Sequence, residues 1–363
     1  MAEVNRTSTR QRFIAAMAGS PGPAGATLRG IAWAASGPYR LAIRGRNWAY
    51  DRGLLATRKL DRPVISVGNL SAGGTGKTVL AVEIARWIVQ AKRRPAVLLR
   101  GYGSSGSPVG SDEAALMREL LGDVPVIANP DRYAAGQMLL DSANPPDAFI
   151  LDDGFQHRKL HRDLDLVAID ATAGLTGPLA RLLPRGLLRE PVESLRRADC
   201  FVLTRVDQAS PEAAESLREL LAKIAPGKPI VRCRHAAVSL RRDARDVPLE
   251  SLVNRRYVAF CGLGNPAAFA RTLEKLPGCC AEFVAFDDHH AYSAADAATL
   301  AKRARQCNAD LLVTTRKDLV KLEVSGFPAD PPIYAVNIEL EWLDDPAGQP
   351  LAGRVLDLLK ERS

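Results

Sequence analysis

No apolar run in this chain approaches the roughly 18 residues that a helix needs to cross a bilayer, so no helical membrane span is expected. No pair of cysteines forms C-x-x-C. The six, Cys200, Cys233, Cys261, Cys279, Cys280 and Cys307, are scattered, and adjacent Cys279 and Cys280 are poorly placed for a structural disulfide. Buried thiols in a reducing compartment are the expectation. Zinc-finger spacing is missing, and so is any basic strand interleaved with aromatics. The net charge of +8 is therefore not read as nucleic-acid binding. No internal repeat is visible, and nothing marks an obligatory protein partner.

What is present suits a folded protein with a real core. A length of 363 residues suggests about two domains. Apolar residues make up 47% and charged residues 25%, ordinary values for a soluble globular chain. The basic set, 49 against 41 acidic residues, is dominated by arginine. That favours phosphate or anionic surfaces as partners.

The chain is organised around residues 64–78. Val64, Ile65 and Val67 read as a short buried strand, and Gly73, Gly74 and Gly76 as a tight turn. Lys77 and Thr78 then open a helical pattern. Strand, glycine loop, Gly-Lys-Thr and helix is the layout of a phosphate-binding P-loop. Ser71, Ala72, Gly73, Gly74, Thr75 and Gly76 would wrap a nucleotide's phosphates with backbone N–H groups. Lys77 would reach the β- and γ-phosphates, and the Thr78 hydroxyl would ligate Mg²⁺. Ser71 stands where G-x-x-x-x-G-K-[ST] has its first glycine. The plainer reading is a glycine-rich strand-to-helix turn with no ligand.

A helix is expected over 79–90 and a strand over 95–99, which runs into a Gly/Ser-rich loop, 100–111. Asp112 and Glu113 open a helix, 124–128 is strand-like, and another helix starts at Asp131. Residues 147–153 form an apolar strand ending in Asp152 and Asp153. This is the Walker-B pattern, which places a carboxylate beside Mg²⁺. Strands at 164–170 and 199–204 follow. Alternation with helices argues for a doubly wound, mostly parallel sheet with its ligand crevice at the strands' carboxyl ends. Beyond residue 230 a smaller α/β pattern begins, with strands at 256–261, 281–286 and 310–315 and a closing helix at 353–360.

Phosphoryl transfer also needs a base near the attacking hydroxyl. Asp112, after a flexible loop, and His289, at the end of a strand, are candidates. Their spacing does not pair them, and either could be structural: a helix-opening carboxylate and a turn histidine. Gln156 and His157 follow the Walker-B acid and would lie near the γ-phosphate. Arg132, Arg185 and Arg189 are candidate anion clamps. Thr204-Arg205-Val206-Asp207 loosely imitates the guanine-reading T-K-x-D, without its lysine.

Residues 1–25, basic and broken by Gly and Pro, are expected to be a flexible extension. Over 26–55, Trp33, Tyr39, Leu41, Ile43, Trp48 and Tyr50 alternate with Arg29, Arg40, Arg44 and Arg46. Short helices of this kind suit the headgroup layer of an anionic membrane, or else pack on the core with solvated arginines.

Together these stretches resemble the tetraacyldisaccharide 4′-kinase (lipid A 4′-kinase) family. The matching pieces are 66–78, Arg100-Gly101-Tyr102-Gly103, 111–113, 151–158 with its Asp152-Asp153-Gly154-Phe155-Gln156-His157 string, 184–191, Asp288-His289 and 315–318. They run in order over residues 64–321, and Ser71 matches the family's own variant of the loop. Ser111 and Val79 stand where the family often has Gly and Pro. The resemblance implies an ATP- and Mg²⁺-dependent lipid kinase phosphorylating the 4′-hydroxyl of a lipid A disaccharide 1-phosphate precursor. It would sit peripherally at the cytoplasmic face of the inner membrane, on its anionic surface. It also implies that Asp112 acts as base with His289, though His290 leaves a one-residue ambiguity. Thr78, Asp152 and Asp153 would hold the metal, and Asn69, Glu113, Arg132, Gln156, His157 and Arg189 would line the substrate cleft. The expected fold is a P-loop NTPase-type α/β domain at 56–230 and a smaller α/β domain at 231–363, whose last helix can return to the first. N-terminal amphipathic helices precede both. The rival is a P-loop GTP- or ATP-driven switch or metallochaperone.

Overall fold

The computed structural model describes residues 9–19, 22–101, 112–325, 330–344 and 349–360. It opens with two helices, α1 (Thr9–Ala18) and α2 (Pro23–Asp51). The first lies where a flexible extension was expected. The Arg29 and Arg185 guanidiniums hold its last turn, each donating to a backbone carbonyl there, Ala16 and Met17, at 3.0 Å. The second is one helix of 29 residues rather than several short ones, and it runs through Pro38. Proline removes the hydrogen bond to the Ala34 carbonyl. Both residues are exposed, so water can take that acceptor.

Two compact units divide the chain, one gathering residues 14–234 and 340–363, the other built on 235–339. In the larger, β1 (Val64–Gly68) leads through α3 (Lys77–Gln90) to β2 (Pro95–Leu99). Then come α4 (Asp112–Leu121), β3 (Val126–Ala128), α5 (Arg132–Leu140), β4 (Ala148–Asp152), β5 (Leu164–Asp170), β6 (Cys200–Thr204), α6 (Pro211–Ile224) and β7 (Ile230–Arg242). Here the strand order is β7-β6-β5-β1-β4-β2-β3, every pairing parallel. β1, β2, β4, β5 and β6 are buried at every position. Parallel strands covered on both faces need such continuous apolar runs. Leu80, Ile84 and Ile88 of α3 pack on Ile65, Val67 and Ile150. Leu217 and Leu221 of α6 pack in a second cluster with Val167, Phe201 and Leu203. The order reverses at β1, which lies between β4 and β5, so the crevice at its carboxyl end is where such sheets place ligands.

The smaller unit contains β8 (Arg245–Val247), β9 (Arg256–Cys261), α7 (Pro266–Leu273), β10 (Cys279–Ala285), α8 (Ala294–Gln306), β11 (Leu311–Thr315), α9 (Arg316–Ser325) and β12 (Ile333–Trp342). Its parallel order is β10-β9-β11-β12. Strands β7 and β12 escape the sequence pattern because polar and charged residues interrupt them, as in Arg232, Arg234, Glu339 and Glu341. Both pass from one unit into the other, so the division falls at 234/235, inside β7. Helix α10 (Gln349–Lys360) belongs with the larger unit, where Leu351, Val355 and Leu359 join the core beside Trp342. Cys200, Cys233 and Cys261 are buried thiols as expected, but Cys279, at the start of β10, is exposed.

Candidate functional site

The glycine loop after β1 is held from three sides. From within, the buried Asn69 side chain donates to the carbonyls of Ser71 at 2.7 Å and Gly73 at 3.4 Å. On one flank the segment 187–189 runs alongside: Ala72 N–H donates to the Leu187 carbonyl at 2.6 Å, and Arg189 N–H to the Leu70 carbonyl at 2.8 Å. On the other, the Thr204 hydroxyl donates to the Thr75 carbonyl at 2.9 Å, and the Arg205 guanidinium to the Gly74 carbonyl at 2.8 Å. Gly76 then turns with φ +87°, a left-handed conformation that glycine adopts without strain, and α3 begins at Lys77.

Beside this loop β4 ends in the two acids. Register pairs Asp152 with Val67. Burial pushes the Asp152 carboxyl up to about 7. Lys77 opposes the rise, while Glu113 and Asp153 add to it. The Thr78 hydroxyl lies 3.4 Å from Asp152 Oδ2. Asp153 turns out of the strand with φ +57°. Gly154 behind it admits no side chain, because a Cβ there would come within 2.5 Å of Ser66 Oγ. Lys77 Nζ donates to Asp153 Oδ1 at 2.6 Å and to Asn69 Oδ1 at 3.2 Å. Arg189 donates to Asp153 Oδ2 at 2.7 Å. Burial alone would raise the Asp153 carboxyl, but these two cations outweigh it and hold it at about 2. The Gln156 amide donates to the Asn69 carbonyl at 2.8 Å.

Arg132, buried at the start of α5 behind the Asp131 cap, lies 3.3 Å from His157 Nδ1. Burial, then the charge of Arg100, lowers the guanidinium to about 10. Burial, then Arg132, Arg162 and Lys159, takes His157 down to about 4. A neutral imidazole is what lets Nδ1 accept from Arg132.

The structure thus brings Asn69, the loop residues, Lys77, Thr78, Asp152, Asp153, Gln156 and Arg189 together, with Glu113 close enough to influence Asp152. Asp112 and Glu113 open α4, both half-buried. Ser111 and the loop before it, 102–111, lie outside the described residues. His289 belongs to the smaller unit, in a turn after β10, with φ +59°. Its Nε2 lies 3.4 Å from Lys317 Nζ and 3.9 Å from Asp288 Oδ1. Its neighbour His290 is engaged differently, 3.1 Å from Asp296 and stacked on Phe286 at 4.7 Å. Arg185, an expected anion clamp, instead bonds the carbonyls of Met17 and Pro178. The T-K-x-D imitation also fails as a base reader, because Arg205 turns to Gly74 and to Asp170 Oδ2 at 2.6 Å.

Sequence reasoning missed Glu190. Its carboxylate is fully buried and accepts from Arg46 (3.3 Å), Asn47 (2.9 Å) and Arg197 (2.8 Å). Its place after Arg189 was the only signal, since two of those partners lie more than 140 positions earlier. Among the described residues no three His, Cys, Asp or Glu side chains gather as a closed metal cage. Mg²⁺ does not need one, since one or two carboxylates plus substrate phosphates usually hold it.

A phosphate loop after the central strand of a parallel sheet, with carboxylates at the end of the adjacent strand, defines a P-loop α/β protein. A sequence model of the tetraacyldisaccharide-1-P 4′-kinase family matches residues 28–356. The chain belongs to that family. It is 40% identical over 341 residues to the tetraacyldisaccharide 4′-kinase of Anaeromyxobacter dehalogenans strain 2CP-C, covering 89% of each chain. It is 40% identical over 327 residues to that of Geobacter metallireducens, covering 85% of this chain and 92% of the relative. Among solved structures it resembles LpxK from Aquifex aeolicus, described as an "apo" form in complex with ATP. The TM-score is 0.70 at 33% identity, covering 92% of this chain and 99% of that one.

Proposed function

We propose that this chain transfers the γ-phosphate of ATP to the 4′-hydroxyl of a tetraacyldisaccharide 1-phosphate, a step of lipid A biosynthesis. One observation carries the reading most: Lys77 and Arg189 converge on a single carboxylate, Asp153, at the N-terminus of α3. Two cations and a helix N-terminus make a point that attracts terminal phosphate charge. The loop N–H groups orient the triphosphate, Lys77 and Arg189 bind its terminal oxygens, and Asp112 takes the proton of the attacking hydroxyl, with His289 as its partner. Arg132, Gln156, His157 and Glu113 position the sugar side, whereas buried Asn69, expected to line the substrate cleft, instead holds the loop and Lys77.

The Thr78 hydroxyl, Asp152 and Asp153 are hard oxygen donors suited to Mg²⁺, and the Asp152 carboxyl, beside the Thr78 hydroxyl and raised by burial, fits that assignment. When bound, the ion neutralises charge developing on the phosphates. No helix among the described residues is long and apolar enough to cross a membrane. The lipid acceptor and the exposed face of α2 support peripheral attachment at the cytoplasmic face of the inner membrane.

The test is incubation with γ-³²P-labelled ATP and a lipid A disaccharide precursor, with and without its 4′-hydroxyl. Label should move only to the hydroxyl-bearing lipid. Transfer to the blocked lipid, or to neither, overturns the reading.

A further inference from the structure

Arg205 and Thr204 have no part in the proposed chemistry, yet both reach into the phosphate loop. Thr204 is fully buried, and its hydroxyl donates to the Thr75 carbonyl. Arg205 adopts φ +54°, a left-handed conformation unusual for a side chain of its size, and donates to the Gly74 carbonyl. Its other contact is Asp170, 4% exposed at the end of β5. The two Asp170 oxygens divide the work. Oδ1 accepts from the Thr172 N–H at 3.0 Å and hydroxyl at 2.7 Å, and Oδ2 accepts from Arg205 at 2.6 Å.

The consequence follows from peptide geometry. In a trans peptide the C=O and the next residue's N–H point in opposite directions across one rigid plane. A Gly74 carbonyl held by Arg205 therefore turns the Thr75 N–H the other way. A Thr75 carbonyl held by Thr204 does the same for the Gly76 N–H. Asn69, bonding the Gly73 carbonyl, turns the Gly74 N–H. Successive N–H groups oriented in this way make a nest for anionic oxygens.

We infer that Arg205, braced by Asp170, and Thr204 are positioning residues of the nucleotide site, fixing two peptide planes so that their N–H groups face the phosphates. This rests on the reading of residues 71–78 as the ATP-binding loop. It also explains why the T-R-V-D stretch lacks a base-reading lysine: the arginine serves the loop rather than the purine.

The experiment measures equilibrium binding of a fluorescent ATP analogue with Mg²⁺, KM for ATP, KM for the lipid, and Tm. The variants are Arg205→Ala, Arg205→Lys, Thr204→Val and Lys77→Ala. Arg205→Ala should weaken nucleotide binding about tenfold, the scale of one charge-assisted hydrogen bond. Thr204→Val, nearly isosteric, should cost about fivefold. Lipid KM should stay within about twofold, and Arg205→Lys should recover part of the loss. Nucleotide binding unchanged in both Arg205→Ala and Thr204→Val, with Lys77→Ala impaired, overturns the positioning role alone. Normal binding by Lys77→Ala overturns the loop reading beneath it. If both KM values move together in step with Tm, the residues serve only the fold and the inference fails.

Discussion

His157 shows how burial and neighbouring charge set a side chain's state. With its folded value held at about 4 against an ordinary 6.5, the unfolded chain binds the proton first. The contribution is fully present above about 6.5 and is lost as pH falls through about 4. Denaturation of wild type across that window should therefore show a decline that His157→Gln partly flattens, and identical slopes would reject the assignment. Asp112 and His289 invite a kinetic test. Asp112→Asn and His289→Asn should each lower kcat by about 10²–10⁴ with ATP binding little changed. If the two act as one device, the double variant should be scarcely slower than the worse single one. Multiplying losses would separate them. The two histidines were indistinguishable by sequence. Their surroundings differ: Asp296 and Phe286 contact His290, while His289 sits beside Lys317 and Asp288.

Among elements, α2 is the one whose energetics the sequence concealed. Its inner face bonds the segment that carries Arg189: Tyr39 donates to the Arg189 carbonyl at 2.8 Å, and Arg46 and Asn47 meet Glu190. Arg197 closes the cluster from the other side and lies over Phe155 at 4.5 Å. Removing one partner of a buried ion pair strands the other. Glu190→Ala should thus cost about 3 kcal/mol in unfolding free energy, measured in urea. Tyr39→Phe should cost about 1 kcal/mol. A Glu190→Ala loss below about 1 kcal/mol would mean that its partners resolvate freely. The P-loop and the β4 acids were legible because strand, turn and helix signals lie within a dozen or so residues of one another. The Glu190 cluster was not, because its geometry joins residues far apart in sequence. The Gly/Pro-rich stretch near residue 20 separates α1 from α2, but the short helices expected over 26–55 are one helix that runs through Pro38. Strands β7 and β12 were hidden by the charged residues that solvate their open positions.

For the whole molecule, the question is how a net charge of +8 and an amphipathic helix meet a lipid acceptor. At about 100° per residue, Leu41 and Trp48 project half a turn away from Tyr39 and Arg46. They are 72% and 54% exposed, and Trp33, nearby on the same side, is 67% exposed. Arg40 and Arg44 are exposed beside them. One face of α2 is thus committed to the protein and the other offers aromatic, aliphatic and cationic groups to solvent. An anionic bilayer surface supplies both things that outer face lacks, an apolar layer for the rings and negative headgroups for the guanidiniums. Vesicles with about one-third anionic lipid should therefore co-sediment the protein at low salt. The triple variant Trp33→Ser, Leu41→Ser, Trp48→Ser should lose most of that binding at unchanged Tm, since none of the three is buried. Arg40→Gln with Arg44→Gln should weaken it by about fivefold per charge and flatten its salt dependence. Full sedimentation of the triple variant would move the membrane contact off this helix, and binding insensitive to both salt and arginine removal would leave the positive charge without a part in it.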